Sequence, residues 1–181
     1  MYIVAIIEAR MNSSRLPGKV LMKAAGIPML KHLVDRLKKV KLIDEIVIAT
    51  TTNPKDIEII NFSKKKKIKF YRGSEEDVMS RVIEAAEKVN ADLIVEITGD
   101  CPIVDTSLVS QMINIFLNNN VDYVNNVDIR SYPDGMDVQV FKLETLKRSS
   151  VLTDNQKDRE HVTLHIRKNP QLFSRINVVA P

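Results

Sequence analysis

The fold is decided by the stretch Tyr2-Ile3-Val4-Ala5-Ile6-Ile7-Glu8. It is short and apolar and it ends in a charged residue, which is typical of a strand buried on both faces of a sheet. Three later segments repeat the pattern and predict further buried strands. They are residues 45–50, 68–71 and 92–97.

The segments between these strands have the spacing of amphipathic helices. After Pro28, the apolar residues Leu30, Leu33, Leu37 and Val40 fall on one helical face. Further helices are predicted over residues 55–64, from Ser74 onward, from Asp105 to Asn118, and over 155–168. Later strands are predicted over 121–124, 137–141 and 173–179.

Alternation of strands and helices predicts a three-layer α/β/α fold with a mainly parallel sheet. One common arrangement of such a sheet places its first four strands in the order 3-2-1-4. The chain then changes direction between strands 1 and 4, and ligands bind there beyond the carboxyl ends of the strands. The loops 8–19 and 98–102 are therefore expected to meet and to form the site.

Composition fits one soluble domain over residues 1–181. The chain is 44% hydrophobic and 28% charged, with a net charge of +4 that is too small to indicate nucleic-acid binding. The single cysteine, Cys101, fits a reducing compartment, and we expect a cytoplasmic location. The apolar start meets Glu8 and Arg10 too early for a membrane span or a signal peptide.

The loop after the first strand is basic. It contains Arg10, Ser13, Ser14, Arg15 and Lys19, together with a Pro-Gly turn. Guanidinium groups, a lysine and turn N–H groups suit a polyphosphate. The glycine patterns of Walker and Rossmann loops are absent, and a solvent-exposed basic connection is the alternative.

The loop after the fourth strand reads Thr98-Gly99-Asp100-Cys101-Pro102. Asp100 at this position could hold Mg²⁺, which prefers oxygen ligands and bridges phosphates. The alternative is an aspartate that only caps a turn. Ser74 and Asp77 are explained by helix capping, whereas Arg72 has no such explanation and is favoured for nucleotide binding.

Together these loops resemble a known family. The stretch Ala9-Arg10-x-x-Ser13-Ser14-Arg15-Leu16-Pro17-Gly18-Lys19 is similar to the signature of cytidylyltransferases that activate acidic sugars, the CMP-Kdo and CMP-acylneuraminate synthetases. The closest resemblance is to the SpsF-like branch of spore coat polysaccharide biosynthesis. Further matches are Tyr71 to Val78, Thr98 to Pro102, Pro133 to Asp137 and Arg159 to Thr163.

The resemblance implies a nucleotide-diphospho-sugar transferase (GT-A-like) fold. It also implies transfer of CMP from CTP to a sugar or sugar acid, with release of pyrophosphate and with Mg²⁺ as cofactor. Nucleotide binding is expected from Arg10, Ser13, Ser14, Arg15, Lys19, Arg72 and Arg81, and catalysis from Arg15, Lys19 and Asp100. Asp100 would bind the metal, with Asp137 either as a second ligand or as the start of a strand.

A sugar acid needs cations for its carboxylate. Candidates are Arg130, Arg159, His161 and Arg167. His161 and His165 are also spaced as half of a zinc site, if they share one helix. No dedicated general base stands out in the sequence.

Other functions of the same fold remain open at this stage. They are a glycosyltransferase, a nucleotidyltransferase with another base or a neutral sugar, and a non-catalytic nucleotide-sugar-binding module. The resemblance also implies a possible homodimer through residues 130–170. Relatives continue past Val179 into a segment with an aspartate motif, so the family's C-terminal segment is expected to be absent here.

Overall fold

The computed structural model describes residues 1–13 and 16–181. Its main sheet has seven strands in the order β5-β4-β1-β6-β8-β7-β9, and β2 and β3 form a separate hairpin. The strands are β1 (Ile3–Glu8), β2 (Lys23–Ala24), β3 (Ile27–Pro28), β4 (Glu45–Thr51), β5 (Lys69–Gly73), β6 (Leu93–Thr98), β7 (Tyr123–Asn125), β8 (Gln139–Lys142) and β9 (Arg175–Asn177).

The helices lie between the strands. They are α1 (Met29–Leu37), α2 (Ile57–Lys66), α3 (Val78–Glu87), α4 (Thr106–Asn118), α5 (Leu143–Val151), α6 (Gln156–Glu160) and α7 (Leu164–Lys168). Short 3-10 helices cover Lys19–Leu21 and Pro54–Asp56.

The strand that opens the chain lies at the middle of the parallel part of the sheet. β1 pairs in parallel with β4 on one side and with β6 on the other, and β4 pairs in parallel with β5. The predicted order 3-2-1-4 is therefore confirmed. Among the remaining strands, β8 is antiparallel to both β6 and β7, whereas β9 is parallel to β7.

Both faces of the sheet are covered, as the continuous apolar strands require. Alternate side chains of β1 enter two cores: Ala5 and Ile7 pack on one face, and Val4 and Ile6 on the other. The first core includes residues of α1, α2 and α4, and the second includes residues of α3, α5 and α7. The predicted three-layer α/β/α architecture is confirmed.

The residue that caps the start of a helix agrees with the sequence prediction for α4 but not for α3. Asp105 caps α4 by accepting hydrogen bonds from the backbone N–H groups of Ser107 and Leu108. The predicted start of α3 at Ser74 is wrong, because Asp77 is the cap and accepts from the N–H of Ser80. Ser74 instead accepts from the N–H of Asp77.

The predicted helix over 155–168 is two short helices. α6 ends at Glu160, and His161 has the non-helical angles φ −107° and ψ 76°. His161 and His165 therefore do not share a helix. His165 is buried, with its Nδ1 3.0 Å from the hydroxyl of Ser149, so the half zinc site has no support.

Among the described helices, none combines the length and apolar character needed to cross a membrane.

Candidate functional site

The two predicted loops meet at the carboxyl ends of β1 and β6. Nζ of Lys19 donates a hydrogen bond to Oδ2 of Asp100, which joins the basic loop to the acidic one. Between the loops lies a cavity of about 340 Å³, which we call the first cavity. Its lining residues are Glu8, Ala9, Arg10, Ser13, Lys19, Val20, Val78, Arg81, Thr98, Gly99, Asp100, Glu160 and His161.

Gly99 allows the loops to come this close. Its N–H donates to the carbonyl oxygen of Glu8 at 2.8 Å, and a Cβ at residue 99 would lie only 2.7 Å from the same oxygen. A larger residue would separate β1 from the loop after β6. The glycine therefore determines how closely the two loops approach each other beside the first cavity.

The basic loop is also held from its other side by Asp56. This buried carboxylate accepts from the backbone N–H of Met11 at 2.7 Å and from the hydroxyl of Thr50 at 3.0 Å. It also accepts from the N–H of Thr51 at 3.0 Å and from the Thr51 hydroxyl at 2.5 Å. The start of the loop is thus tied to the end of β4.

Asp100 is ionised in this setting. Burial alone would raise its pKa, but hydrogen bonds from Lys19 and Thr98 outweigh that effect and hold the pKa below its usual value. The hydroxyl of Thr98 donates to Oδ1 at 2.7 Å. The side chains of Lys19 and Asp100 stay 26% and 39% exposed, so both charges remain accessible from the cavity.

Arg81 forms a buried wall of the first cavity. Its Nη1 donates to the carbonyl oxygens of Ser74 and Glu75. Its Nε is buried and has no partner among the described residues. Burial lowers the pKa of Arg81, and the charge of Glu8 opposes this shift. An anion that entered the cavity would satisfy an unpaired donor of this kind.

The structure does not bring every predicted nucleotide-binding residue to the cavity. Arg72 is absent from the lining; its Nε donates to the carbonyl oxygen of Thr51 at 3.0 Å and its Nη2 to that of Asn53 at 3.3 Å. This guanidinium stabilises the loop after β4, and nucleotide binding by Arg72 stays a prediction. Ser14 and Arg15 lie outside the described residues.

A second cavity, of about 210 Å³, adjoins the first. Its lining includes four residues of the first cavity, and the others come from β6, from β8, from the segment between β7 and β8, and from the region around α6 and α7. The lining residues are Glu8, Glu96, Thr98, Val127, Arg130, Asp137, Gln139, Glu160, His161, Val162, Thr163 and Arg167.

Three of the four predicted sugar-binding residues line the second cavity: Arg130, His161 and Arg167. Nε of Arg167 donates to Oδ1 of Asp128 at 2.7 Å, which fixes the guanidinium at the cavity wall. Nη1 of Arg130 donates to Asp134 at 3.3 Å.

Arg159, the fourth predicted residue, lies elsewhere. Its Nε and Nη2 donate to Oδ2 of Asp77 at 3.0 and 2.6 Å, and its Nη1 donates to the carbonyl oxygen of Ser150 at 3.0 Å. It therefore connects α6 to the first turn of α3. The predicted contact of Arg159 with a sugar stays a prediction that this arrangement does not support, because the guanidinium already has protein partners and lines neither cavity.

Asp137 faces the second cavity just before β8. Burial raises its pKa, Arg130 opposes that rise at 3.8 Å, and the negative charges of Asp134 and Asp100 add to it. A divalent cation near Asp100 and Asp137 would relieve this repulsion. Two carboxylates suit the hard oxygen-ligand preference of Mg²⁺. Over residues 1–13 and 16–181, no group of three or more acidic, histidine or cysteine side chains could hold a metal ion.

The sequence did not reveal a buried carboxyl pair at the junction of the cavities. Glu8 ends β1, and Glu96 is buried within β6 with its Oε2 accepting from the side-chain amide of Gln139. The two carboxyl groups share a hydrogen bond, and burial raises the pKa of both. The available signal was a glutamate inside the otherwise apolar stretch 93–97.

Comparisons with known proteins agree with this geometry. A family model described as cytidylyltransferase matches residues 4–180. The spore coat polysaccharide biosynthesis protein SpsF of Bacillus subtilis is 35% identical over 175 residues, which cover 94% of this chain and 72% of the relative. The 3-deoxy-manno-octulosonate cytidylyltransferase of Geobacter sulfurreducens is 28% identical over 177 residues, or 97% of this chain and 65% of the relative.

A solved structure gives the same result at the level of the fold. A cytidylyltransferase from Leptospira borgpetersenii superposes with a TM-score of 0.95 at 31% sequence identity, over 99% of this chain and 76% of that one. The match spans both loops and every strand of the main sheet. The chain belongs to the cytidylyltransferase family.

Proposed function

We propose that this nucleotidyltransferase moves CMP from CTP to a hydroxyl group of a sugar or sugar acid and releases pyrophosphate, as a step in surface polysaccharide biosynthesis. The observation that carries the proposal is the meeting of Lys19 and Asp100 across the first cavity, beside a second cavity of suitable size for a sugar. A lysine and an accessible carboxylate at a switch point suit a metal-bound triphosphate.

The nucleotide belongs in the first cavity. Arg10, Lys19 and Arg81 supply cations there, and Ser13 supplies a hydroxyl. The buried Nε of Arg81 lacks a partner, and a phosphate oxygen would provide one. Ser14 and Arg15 are kept as proposed contacts of the triphosphate on the basis of their place in the basic loop.

Mg²⁺ is the proposed cofactor, with Asp100 as its principal ligand and Asp137 as the second. Their carboxylate oxygens fit this ion, and phosphate oxygens and water would complete its coordination. When bound, Mg²⁺ neutralises charge on the phosphates and orients the triphosphate.

The acceptor belongs in the second cavity. Arg130, His161 and Arg167 line it and offer donors for hydroxyl or carboxylate oxygens. One relative, the Geobacter enzyme, is named for 3-deoxy-manno-octulosonate, a sugar acid. Arg159 is left out of the proposed acceptor site because its donors bind Asp77 and Ser150.

The reaction is an in-line displacement at the α-phosphorus of CTP. Negative charge increases on the leaving pyrophosphate, so catalysis depends mainly on position and electrostatics. Lys19 is placed to stabilise that charge, and the proposed role of Arg15 is the same. The cavities adjoin, which would bring an acceptor hydroxyl next to the α-phosphate.

The first test is release of pyrophosphate with Mg²⁺ from each nucleoside triphosphate, across a panel of neutral sugars, amino sugars and sugar acids. We expect release with CTP and one class of acceptor. Lys19→Ala and Asp100→Ala should each lower kcat about 100-fold or more, because each removes a charge that acts on the phosphates. The exposed Lys41→Ala and Asp154→Ala variants are matched controls.

Two outcomes would contradict this proposal. One is the absence of release from every combination by the folded protein. The other is normal turnover by both Lys19→Ala and Asp100→Ala, which would contradict the site. A homodimer through residues 130–170 and a cytoplasmic location are further parts of the proposal; sedimentation and cell fractionation test them.

A further inference from the structure

The carboxyl pair at the junction of the cavities has features of a proton acceptor. Glu8 is half-buried, and it lines both the first and the second cavity. Its Oε1 is buried and, as long as Glu96 is ionised, has no donor among the described residues. A proton held by Glu96 supplies a donor to this carboxylate, because the two side chains share a hydrogen bond.

The partner carboxyl group is held rigidly. Glu96 is only 2% exposed, and its Oε2 accepts from the amide of Gln139. The oxygen of the same amide also has hydrogen-bond partners. Oε1 of Gln139 accepts from the hydroxyls of Tyr123 and Thr163, the latter at 2.6 Å. This network fixes the acceptor side of Gln139 and therefore directs its N–H toward Glu96.

The charges around the pair favour one ionised and one neutral carboxyl group. Arg81 on α3 and His161 at the end of α6 stabilise the charge of Glu8, while Asp100 in the loop after β6 opposes it. Glu96 meets the negative charges of Glu8 and of Asp137 before β8, and burial raises its pKa further. Glu160 also lines both cavities. The pair thus retains one proton on Glu96 and one negative charge on Glu8.

We propose that Glu8 is the general base that accepts the proton of the acceptor hydroxyl, and that Glu96 positions it and holds it ionised through a shared hydrogen bond. The inference rests on the proposed function. It follows from location, because Glu8 borders both the space assigned to the triphosphate and the space assigned to the acceptor. Glu160 and His161 border the same two spaces, but their side chains are exposed, whereas Glu8 is half-buried and its Oε1 is buried without a partner.

The step balances without another reactant. The hydroxyl oxygen forms a bond to the α-phosphorus, and the bond from that phosphorus to the bridging oxygen of the β-phosphate breaks. The hydroxyl proton passes to the Glu8 carboxylate, and pyrophosphate leaves with the electron pair of the broken bond. Glu8 then returns its proton to water, and the proton on Glu96 stays in place.

A pH dependence follows from this assignment. Glu8 must be ionised to accept a proton, so the rate falls as pH drops below its pKa. Burial raises that pKa, and the hydrogen bond from Glu96 lowers it in part. The acid limb of kcat is therefore expected at a higher pH than the pKa of an exposed glutamate.

The experiment compares kcat, KM for CTP and the pH profile of pyrophosphate release in four variants. Glu8→Gln should lower kcat about 100-fold or more, change KM for CTP less than about threefold, and lose the acid limb. Glu96→Leu should shift the acid limb to higher pH, because Glu8 loses its hydrogen-bond donor. Glu96→Gln restores a neutral donor and should return the limb toward its original position. Glu58→Gln, an exposed change of the same kind on α2, is the matched control.

The outcomes separate this inference from the function on which it rests. Turnover by the wild type together with an unchanged kcat and acid limb in Glu8→Gln overturns the general base and leaves the transferase intact. Equal acid limbs in Glu96→Leu and Glu96→Gln overturn the role of Glu96. No release by the wild type with any acceptor overturns both the function and the base.

Discussion

Three arginines that look alike in the sequence have different roles in the structure. Arg72 and Arg159 direct their donors to backbone carbonyls and to a carboxylate of the protein, whereas Arg81 keeps a buried Nε without a partner at the first cavity. Burial and partners, rather than residue type, distinguish a structural guanidinium from one available to a ligand.

Arg159 is predicted to act on stability and not on the acceptor. Arg159→Ala should lower the free energy of unfolding by about 1–3 kcal/mol, because it removes charge-assisted hydrogen bonds to a half-buried Asp77. Urea denaturation measures this change. A double-mutant cycle with Asp77→Ala isolates the pair from the helix cap that Asp77 also provides. A coupling near zero, or a raised KM for the acceptor, would contradict the assignment.

The residues of the candidate site were predictable only in part. Arg10, Ser13, Lys19 and Asp100 were found because they lie in loops after predicted strands, and the structure places them around one cavity. Glu96 was missed because a residue inside a strand gives no sign of which polar groups face it. Its partner Gln139 lies 43 residues away along the chain, and Thr163, which donates to Gln139, lies farther still.

At the scale of elements, the contact between the end of β1 and the loop after β6 determines the geometry of the site. Gly99 occupies that contact, since the space for a Cβ is already filled by the Glu8 carbonyl oxygen, Ala9 and Val20. The sequence predicted these two elements and their adjacency from strand order. It did not predict that the two elements can pack this closely only because residue 99 has no Cβ.

Gly99→Ala is therefore expected to destabilise the protein by about 1–3 kcal/mol and to raise KM for CTP, because the backbone must move to admit the added carbon. Gly26→Ala is the comparison. It has φ +77° and nothing within 4 Å of the added Cβ, so it carries only the backbone strain of about 1 kcal/mol. Thermal unfolding and CTP kinetics measure both. Wild-type values for Gly99→Ala would show that the contact has no such role.

Element boundaries were less predictable where tertiary contacts override local spacing. The break at His161 between α6 and α7 interrupts an acceptable helical period, and it brings His161 and Thr163 to the wall of the second cavity. Helix α5 carries no strong local signal, and it packs Leu143 and Leu146 into the second core. Neither feature could be inferred from a window of local sequence.

At the scale of the molecule, the site connects the parallel and antiparallel parts of one sheet. The first cavity lies over β1 and β6, and the second includes residues of β8 and the helices that follow it. The fold class followed from the alternation of elements in the first 120 residues. The reversed strand β8, which supplies the second cavity, did not follow from that pattern.

Binding of CTP and Mg²⁺ between the parallel and antiparallel parts of the sheet should stabilise the whole fold. Mg²⁺ with CTP at about 100 times its Kd adds roughly 2.7 kcal/mol to the free energy of unfolding. For a chain of this size, that raises Tm by about 5–10 °C. Differential scanning fluorimetry with each nucleoside triphosphate tests this, and Asp100→Asn should reduce the part of the shift that depends on Mg²⁺. Equal shifts with all four triphosphates would contradict selectivity for CTP.

The position of Glu8 also limits how such an enzyme can diversify or be redesigned. One side chain at the end of β1 borders both cavities, so a substitution there changes the environment of donor and acceptor together. Arg130 and Arg167 line the second cavity alone, and they can vary without altering the first. New acceptor preferences are therefore expected to arise at these two arginines, while position 8 stays constant among descendants that keep the same nucleotide.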